Sequence, residues 1–569
     1  MADREKEKWL DLSDAFFRQG DFQGMRACAR ELLEQEEDDL DGRALLAQAS
    51  FYLGDEEMAR DIVSEVEAAD GVHLRALLVE GELYAGDFLL FQELAVLEKL
   101  ISLVEELPAD SLRKSDCLIW ERALCLLADA YQLAGKPEKA AEAMFGLSRL
   151  VEEPLRKADF YSKGLFLTNY RLMPADRSLT LHKGYNAFFR AKVTFPHESV
   201  RAKKYLRIGY ISPDFRLHAA GYFLAPFLQE YDKDHFAVFV YQWGKSDAVT
   251  QRFKRFAVSW RDISALAPQD AARQIYDDRI DILVDLSGHT QGSCLPVLAC
   301  RPAPVQVSGI GYMNTTGLQE VDYFLSDVHC QPKDEMARGF TEKVLRLPQS
   351  HLCYAPKVLR PLPVPAAIAP CLENGWVTFG CFNNFSKVSR QTLLLWRAIL
   401  EQVPTARLVL KSKTCSIPAG REMIRHRLAA LSMDSQRIEL RPYSPDYLEQ
   451  YQDIDVALDT LPYNGGLTTC EALYMGVPVV TLRGRSHGAR FGASLLENAG
   501  VAELLAESEM EYVKKAVQLA ASPEILQRFH EGLRQEMERS ALMDGQRYMK
   551  DMETAYQQIW QAAVEKSGQ

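Results

Sequence analysis

The chain has 569 residues, 47% of them hydrophobic and 25% charged, with a formal net charge of −13. Such a length suggests about three to four domains. The acidic balance argues against general nucleic-acid binding, which needs a basic face, and no apolar run reaches the roughly 18 residues of a membrane span. The eleven cysteines include no Cys-x-x-Cys pair, the N-terminus MADREKEKWLDLSDAF lacks a signal-peptide core, and EKSGQ carries no lipidation motif, so a cytoplasmic protein with reduced thiols is expected.

Residues 1–190 carry almost no strand signal. Four phrases repeat an apolar helix, a glycine, a polar turn and a second helix: AFFRQGDFQGM, ASFYLGDEEMA, GELYAGDFLLF and AYQLAGKPEKA. Their glycines, Gly20, Gly54, Gly86 and Gly135, are 34, 32 and 49 residues apart. A period near 34 predicts tetratricopeptide-like helix pairs stacked as a solenoid, with an extended helix across Leu94–Val104 absorbing the long third spacing. The small packing residue expected five positions after each glycine falls on Met25, Ala59, Phe91 and Ala140, so the repeats are degenerate. Chance glycines in an unrelated helical bundle are the alternative. Such a region binds proteins or self-associates.

From about 205 the pattern changes. Strands are expected at 206–212, 236–241, 281–287, 304–310, 321–326 and 343–347, with helices at 247–257, at 268–279 and from about Phe223. Alternation of this kind implies a parallel, doubly wound sheet with ligands at the carboxyl ends of its strands. His218 lies after the first strand, His289 in DLSGHTQG after another, and Gly309, Gly311, Tyr312, Thr315, Thr316 and Gly317 after a third. His218 suits a general base or an oxygen contact, although a lone histidine at a loop–helix junction also serves as a cap or in packing; His289, between glycines, is equally open.

PLPVPAAIAPCLENG (361–375) reads as a linker. A second doubly wound half (376–535) follows, with strands at 376–382, 406–412, 437–443, 454–458 and 477–481 and helices at 389–403, 419–432 and 446–452; 506–566 reads as wholly helical, with 536–569 as a C-terminal helix. Lys387, after the first of these strands, can reach a cleft phosphate or remain a solvated loop lysine. Residues 454–481, IDVALDTLPYNGGLTTCEALYMGVPVVT, run from strand through a loop with Gly465 and Gly466 into a helix. Glycines permit close backbone approach, the helix N-terminus attracts anions, and Thr468 and Thr469 add hydroxyls, while Glu471 suits a ribose better than a phosphate. An ordinary βα turn with an N-capping threonine fits the same spacing. Asp-x-Asp strings occur at Asp39–Asp41, Asp232–Asp234 and Asp453–Asp455 without a supporting ligand set, so no metal is expected.

Two α/β halves facing a cleft form the GT-B glycosyltransferase architecture. Tetratricopeptide-like repeats followed by RIGYISPDFRLH, DLSGHTQG, RPAPVQVSGIGYMNTTG, FGCFNNFSK and DTLPYNGGLTTCEALYMGVP resemble the protein O-GlcNAc transferases of glycosyltransferase family 41, especially bacterial members and the SPINDLY-type branch. The resemblance spans nearly the whole chain. It implies inverting transfer of GlcNAc or a related sugar from a UDP-sugar to Ser or Thr hydroxyls, with no metal or other cofactor. By that resemblance His218 matches an active-site histidine, Lys387 the lysine that stabilises the diphosphate leaving group, Gly311 a glycine beside the sugar, Thr468 a phosphate-binding threonine and Glu471 an acidic residue at the ribose. Asn384 falls where the family has a donor-contacting Gln. Gly465, Gly466 and Thr469 complete the donor loop; His289, where animal enzymes carry Tyr, and Tyr222 are candidate acceptor or sugar contacts. Leu467 replaces a phosphate-binding Thr, and Asp446 lies where a second phosphate lysine is expected. These departures keep GDP-fucose and UDP-hexose donors open, as in SPINDLY-type and flagellin-modifying relatives, and keep open a catalytically silent scaffold that binds nucleotide. The implied partners are a nucleotide sugar and a protein acceptor guided by the repeats, with self-association a further option.

Overall fold

Four left-handed turn residues mark the repeats: Gly20, Gly54, Phe88 and Gly135, at φ 75°, 87°, 60° and 68°. In the computed structural model, which describes residues 2–108, 111–190, 193–197, 200–333 and 339–567, each turn joins a helix pair. The pairs are Ala2–Gln19 with Phe22–Gln35, Leu40–Tyr52 with Glu56–Ala69, Leu74–Gly86 with Leu90–Glu106, and Lys114–Leu133 with Pro137–Leu150. Counted on these turns the spacings are 34, 34 and 47 residues. Gly86 is the last residue of its helix rather than the turn, so the third repeat is displaced by two positions. The displacement explains Phe91, which is 46% exposed, whereas Met25, Ala59 and Ala140 are fully buried. Five positions after Phe88 stands Glu93, 7% exposed, in the place meant for a small apolar side chain. The long last interval comes from the seventeen-residue helix Leu90–Glu106 and the twenty-residue helix after it. Asp21, Asp39 and Asp55 cap second, third and fourth helices by accepting from the N–H of Gly24, Gly42 and Met58. These elements belong to one compact unit, Met1–Leu167 with Ile417–Ile424; Thr168–Ser416 with Arg425–Gln569 forms the other.

The second unit holds two parallel sheets. The first contains β1 (Leu206–Ser212), β2 (Phe236–Gln242), β3 (Ser259–Asp262), β4 (Ile282–Asp285), β5 (Val305–Ser308), β6 (Tyr323–Asp327) and β7 (Lys343–Leu347), in the order β3-β2-β1-β4-β5-β6-β7. The second contains β8 (Thr378–Cys381), β9 (Arg407–Ser412), β10 (Ile438–Pro442), β11 (Val456–Leu458), β12 (Val479–Leu482) and β13 (Leu505–Ala506), in the order β10-β9-β8-β11-β12-β13. Central strands are apolar on both faces because helices cover both; β4, β5, β8 and β12 are buried throughout. β3, SWRD, has no apolar run and is half-exposed, because an edge strand buries little and so leaves no hydrophobic signal. The expected helix at 446–452 is a 3-10 turn over Glu449–Asp453, and the region after 505 is three helices, Glu509–Ala520, Pro523–Arg539 and Gly545–Ser567, preceded by β13.

The last helix crosses back to the first sheet. The Tyr556 and Tyr210 hydroxyls lie 3.2 Å apart, the Tyr548 ring meets Phe227 edge-on at 5.5 Å, and Tyr548 donates to the His351 carbonyl at 2.9 Å.

Burial, with the Asp129 carboxylate adding to it, pushes the Glu93 carboxyl up to about 7. The folded state therefore holds a proton that the unfolded chain releases, so stability falls as pH rises from the ordinary Glu range through about 7. Glu93→Gln should raise the unfolding free energy of the helical unit at pH 8 by about 1–3 kcal/mol, with the gain vanishing near pH 5, as read by denaturant titration at the two pH values.

Candidate active site

The order of both sheets reverses once, between β1 and β4 and between β8 and β11. Loops leaving neighbouring strands at such a point turn to opposite faces and open a crevice. The loop after β11 is organised by Asp459, 2% exposed. Its Oδ1 accepts the N–H of Thr460 at 2.8 Å and of Gly465 at 2.7 Å, and Asn383 Nδ2 at 3.3 Å; Oδ2 accepts the Thr481 hydroxyl at 2.7 Å. Burial pushes this carboxyl upward, opposed by those donors and by Lys387. Asn464 Nδ2 donates to the Thr460 carbonyl at 2.9 Å and closes the loop on itself.

Lys387 ends a 3-10 turn, Phe385–Lys387, after β8. Its Nζ donates to the Asn464 carbonyl at 2.9 Å and stands 3.6 Å from the centre of the Tyr463 ring. Burial pulls the ammonium down to about 8, while Asp459 resists. Asn384 is exposed, and its Oδ1 caps that same turn on the Ser386 N–H at 3.1 Å; the neighbouring Asn383 is the one turned inward, where its Oδ1 accepts the Thr468 hydroxyl.

A Cβ on Gly465 would lie 2.6 Å from Thr468 Oγ1 and 2.7 Å from Thr469 Oγ1, so glycine is required for the loop to close on the helix Leu467–Tyr474. Gly466 precedes that helix as its N-cap residue, and the first N–H groups of a helix lack intrahelical acceptors. Thr469 donates to the Gly465 carbonyl at 3.1 Å. Glu471, 1% exposed, accepts the Tyr447 hydroxyl. Burial raises its carboxyl to about 8, so it is protonated at neutral pH and would not repel a nearby anion. Tyr222, on the helix Gly221–Gln229 of the first half, joins Tyr447 and Arg360 in the same cluster; the Arg360 guanidinium sits 5.2 Å from the Tyr447 ring centre.

Across the cleft, His218 follows β1 with its side chain 39% exposed and Nδ1 3.2 Å from Asp214 Oδ1. The same Nδ1 lies 3.3 Å from the Ala220 N–H. Burial lowers its pKa; Asp214 opposes this, while Arg216 and, from the second half, Lys413 reinforce it. The imidazole is thus neutral and held by one nitrogen. Gly311 is dictated by packing: a Cβ there would approach the Leu286 carbonyl oxygen to 2.4 Å. His289 is not brought to the cleft surface. It is 1% exposed, its Nε2 lies 2.8 Å from the Thr316 carbonyl, and its ring packs among His182, Tyr185 and Tyr312, because the DLSGHTQG turn folds under the wall. The side chain therefore lies below the surface at which an acceptor or sugar contact is expected.

The acidic pairs have protein partners. Asp39 and Asp41 pair with Lys6, Asp232 with His235, Asp453 with Arg441, and Asp455 accepts the N–H groups of Cys371 and Thr378. Sequence reasoning passed over Asn383, Tyr447, Arg360, Lys413 and above all Asp459, although an aspartate ending a buried strand just before Gly-Gly was a readable signal.

The glycosyl transferase family 41 model matches residues 173–357 and 357–552. A mutant of the Thermobaculum terrenum O-GlcNAc transferase is similar in structure, with a TM-score of 0.74 and 29% identity over 93% of this chain and 98% of that one. In sequence the chain is 40% identical to the probable UDP-N-acetylglucosamine–peptide N-acetylglucosaminyltransferase SPINDLY of Oryza sativa subsp. japonica, over 68% of this chain and 41% of that protein. It is 31% identical to the corresponding SEC protein of Arabidopsis thaliana, over 63% and 37%. The chain thus spans about two fifths of the length of these curated relatives. With both doubly wound halves inside the matched region, the chain belongs to glycosyl transferase family 41.

Proposed function

We propose that this chain transfers GlcNAc, with inversion, from UDP-GlcNAc to serine or threonine hydroxyls of acceptor proteins. The observation that carries the reading is the half-buried Lys387, whose Nζ is held on the Asn464 carbonyl beside the Gly465–Gly466 loop. In transfer, the acceptor oxygen bonds to the anomeric carbon as the bond to the diphosphate breaks, and negative charge grows on the departing phosphate. Lys387 and the N-terminus of helix Leu467–Tyr474 are placed to meet that charge without reorganising. The Tyr222, Tyr447, Glu471 and Arg360 cluster, one turn further along, suits the nucleoside end. The acceptor's proton needs a base; His218 can take it at Nε2 once its Nδ1 gives up the Ala220 N–H and donates to Asp214 instead. The names carried by the similar plant proteins and the bacterial enzyme support this donor and acceptor class. Leu467, which brings no hydroxyl to the helix N-terminus, is the feature that favours a different nucleotide sugar, GDP-fucose or a UDP-hexose.

Lys387→Met should lower kcat by roughly 10²–10³-fold, the usual effect of losing one preorganised charge contact, while leaving the thermal midpoint within a few degrees of wild type. Near-wild-type turnover would overturn the assignment of the leaving-group lysine.

Because the free ammonium titrates near 8, a diphosphate that favours its charged form must bring a proton with it at higher pH. Affinity for UDP, measured by calorimetry, should be level from pH 6.5 to 7.5 and then fall by up to about tenfold per pH unit above 8. Lys387→Met should flatten that fall.

Only a true ligand raises the thermal midpoint by linkage. UDP should do so and GDP should not, and Gly465→Ala should cut the UDP-induced shift by forcing Thr468 and Thr469 aside. A shift with GDP alone would reassign the donor, and nucleotide binding with no transfer to any protein would indicate a scaffold.

A further inference from the structure

Beneath the crevice, Cys330, His351 and His487 converge. Cys330 follows β6, His351 follows β7, and His487 lies in the loop after β12, so two come from the first half and one from the second. Each offers a ligand atom within 4.8 Å of the other two. They are 0%, 1% and 3% exposed. We propose that these three side chains form a buried divalent-metal site of the zinc type that staples the two α/β halves together.

The hydrogen bonding of the two histidines is that of metal ligands, while Cys330 Sγ donates to the Arg490 carbonyl at 3.5 Å, a bond that an ion would replace. His351 Nδ1 is bonded to Asp327 Oδ2. That carboxylate is pinned by the Ser494 hydroxyl at 2.8 Å and the His351 N–H at 3.0 Å on one oxygen, and by the N–H groups of His329 and Cys330, at 2.8 and 2.7 Å, on the other. A carboxylate holding Nδ1–H fixes the tautomer and turns the Nε2 lone pair inward, as in the outer shell of histidine–metal sites. Among the described residues His351 Nε2 has no hydrogen-bond partner and His487 Nδ1 has none at good bonding geometry, although both atoms are buried. His487 Nε2 lies 3.0 Å from Ser326 Oγ; with its proton donated there, Nδ1 is a lone pair. The Met313 carbonyl beside the His487 ring is the rival partner for that nitrogen. Buried polar atoms without partners are rare because desolvation goes uncompensated, and one ion would satisfy both nitrogens at once.

The charges also fit. Binding a divalent cation forms the sulfur–metal bond and expels the Sγ proton to solvent. The +2 of the ion is then offset by the thiolate and by the Asp327 carboxylate bonded to His351. One thiolate and two imidazoles suit zinc, whereas magnesium and calcium require oxygens. With bond lengths of about 2.3 Å to sulfur and 2.0 Å to nitrogen, tetrahedral ligand atoms stand about 3.3–3.5 Å apart, so a cluster whose atoms lie within 4.8 Å closes by up to about 1.5 Å around the ion. His487 also lines a cavity of about 520 Å³ with Met313, Tyr463 and Arg485, a route for the ion and for water as fourth ligand. None of the three ligands is a residue assigned to the transfer, so the site stands whether or not the transferase reading does.

The test is metal binding by the full chain after chelation and dialysis. One equivalent of Zn²⁺ should bind and raise the thermal midpoint, and Co²⁺ should give a thiolate-to-cobalt charge-transfer band with tetrahedral visible bands. Cys330→Ser and His487→Asn should each weaken Zn²⁺ binding at least 100-fold. X-ray absorption of the zinc-loaded wild type should show one sulfur and two or three nitrogen or oxygen neighbours, a reading that does not depend on the variants folding. Failure to bind at micromolar Zn²⁺, retention of binding by both variants, or a shell lacking sulfur would overturn the proposal.

Discussion

The buried carboxylate of Asp459 is the constraint on which the site rests. It stands where β11 ends and gathers Thr460, Gly465, Asn383 and Thr481 onto its two oxygens. One side chain therefore ties the ends of β8, β11 and β12 to the glycine loop. A buried carboxylate is tolerated only when such donors surround it, and they in turn have no other geometry in which to bond it. The loop is stiff because its charge must be satisfied, and its stiffness sets where Asn464 presents the carbonyl that holds Lys387.

Burial then sets the protonation states. Lys387 is brought to about 8 and Glu471 to about 8 by the same desolvation acting on opposite charges. His218 is handled differently. It is partly open to solvent, keeps Asp214 at one nitrogen, and feels Lys413 from the opposite half. The two halves are thus coupled electrostatically across the crevice, and mechanically by the final helix, whose tyrosines return to β1 and to the helix Gly221–Gln229.

Much of this was legible in the residues. Buried parallel strands announce themselves as apolar runs, so eleven of the thirteen strands fall where hydrophobicity places them; β3 and β13 do not, because edge strands of two to four residues bury too little to leave a pattern. The glycine turns of the repeats were readable at Gly20, Gly54 and Gly135, where φ is positive, and misleading at Gly86, where the left-handed turn is taken by Phe88. That substitution of a phenylalanine for a glycine moved the packing position onto Glu93. At the site, Lys387, Gly465 and Thr468 could be singled out because each is a chemical type at a strand end. The choice between Asn383 and Asn384 could not, since adjacent residues differ only in which way a short 3-10 turn points them.

By itself the sequence determined the element order and the set of groups able to face an anion, because hydrophobic period and glycine placement are local properties of a chain; the strand order with its two switch points came from the tertiary structure. The tertiary structure alone decided which groups are desolvated and which share a partner. Asp459 became the hub, His289 passed beneath the wall, Glu471 became a neutral acid, and Cys330, His351 and His487, separated by up to 157 residues in the chain, came to share one buried point. Burial and proximity between distant segments depend on how the two sheets meet, and no local pattern encodes that.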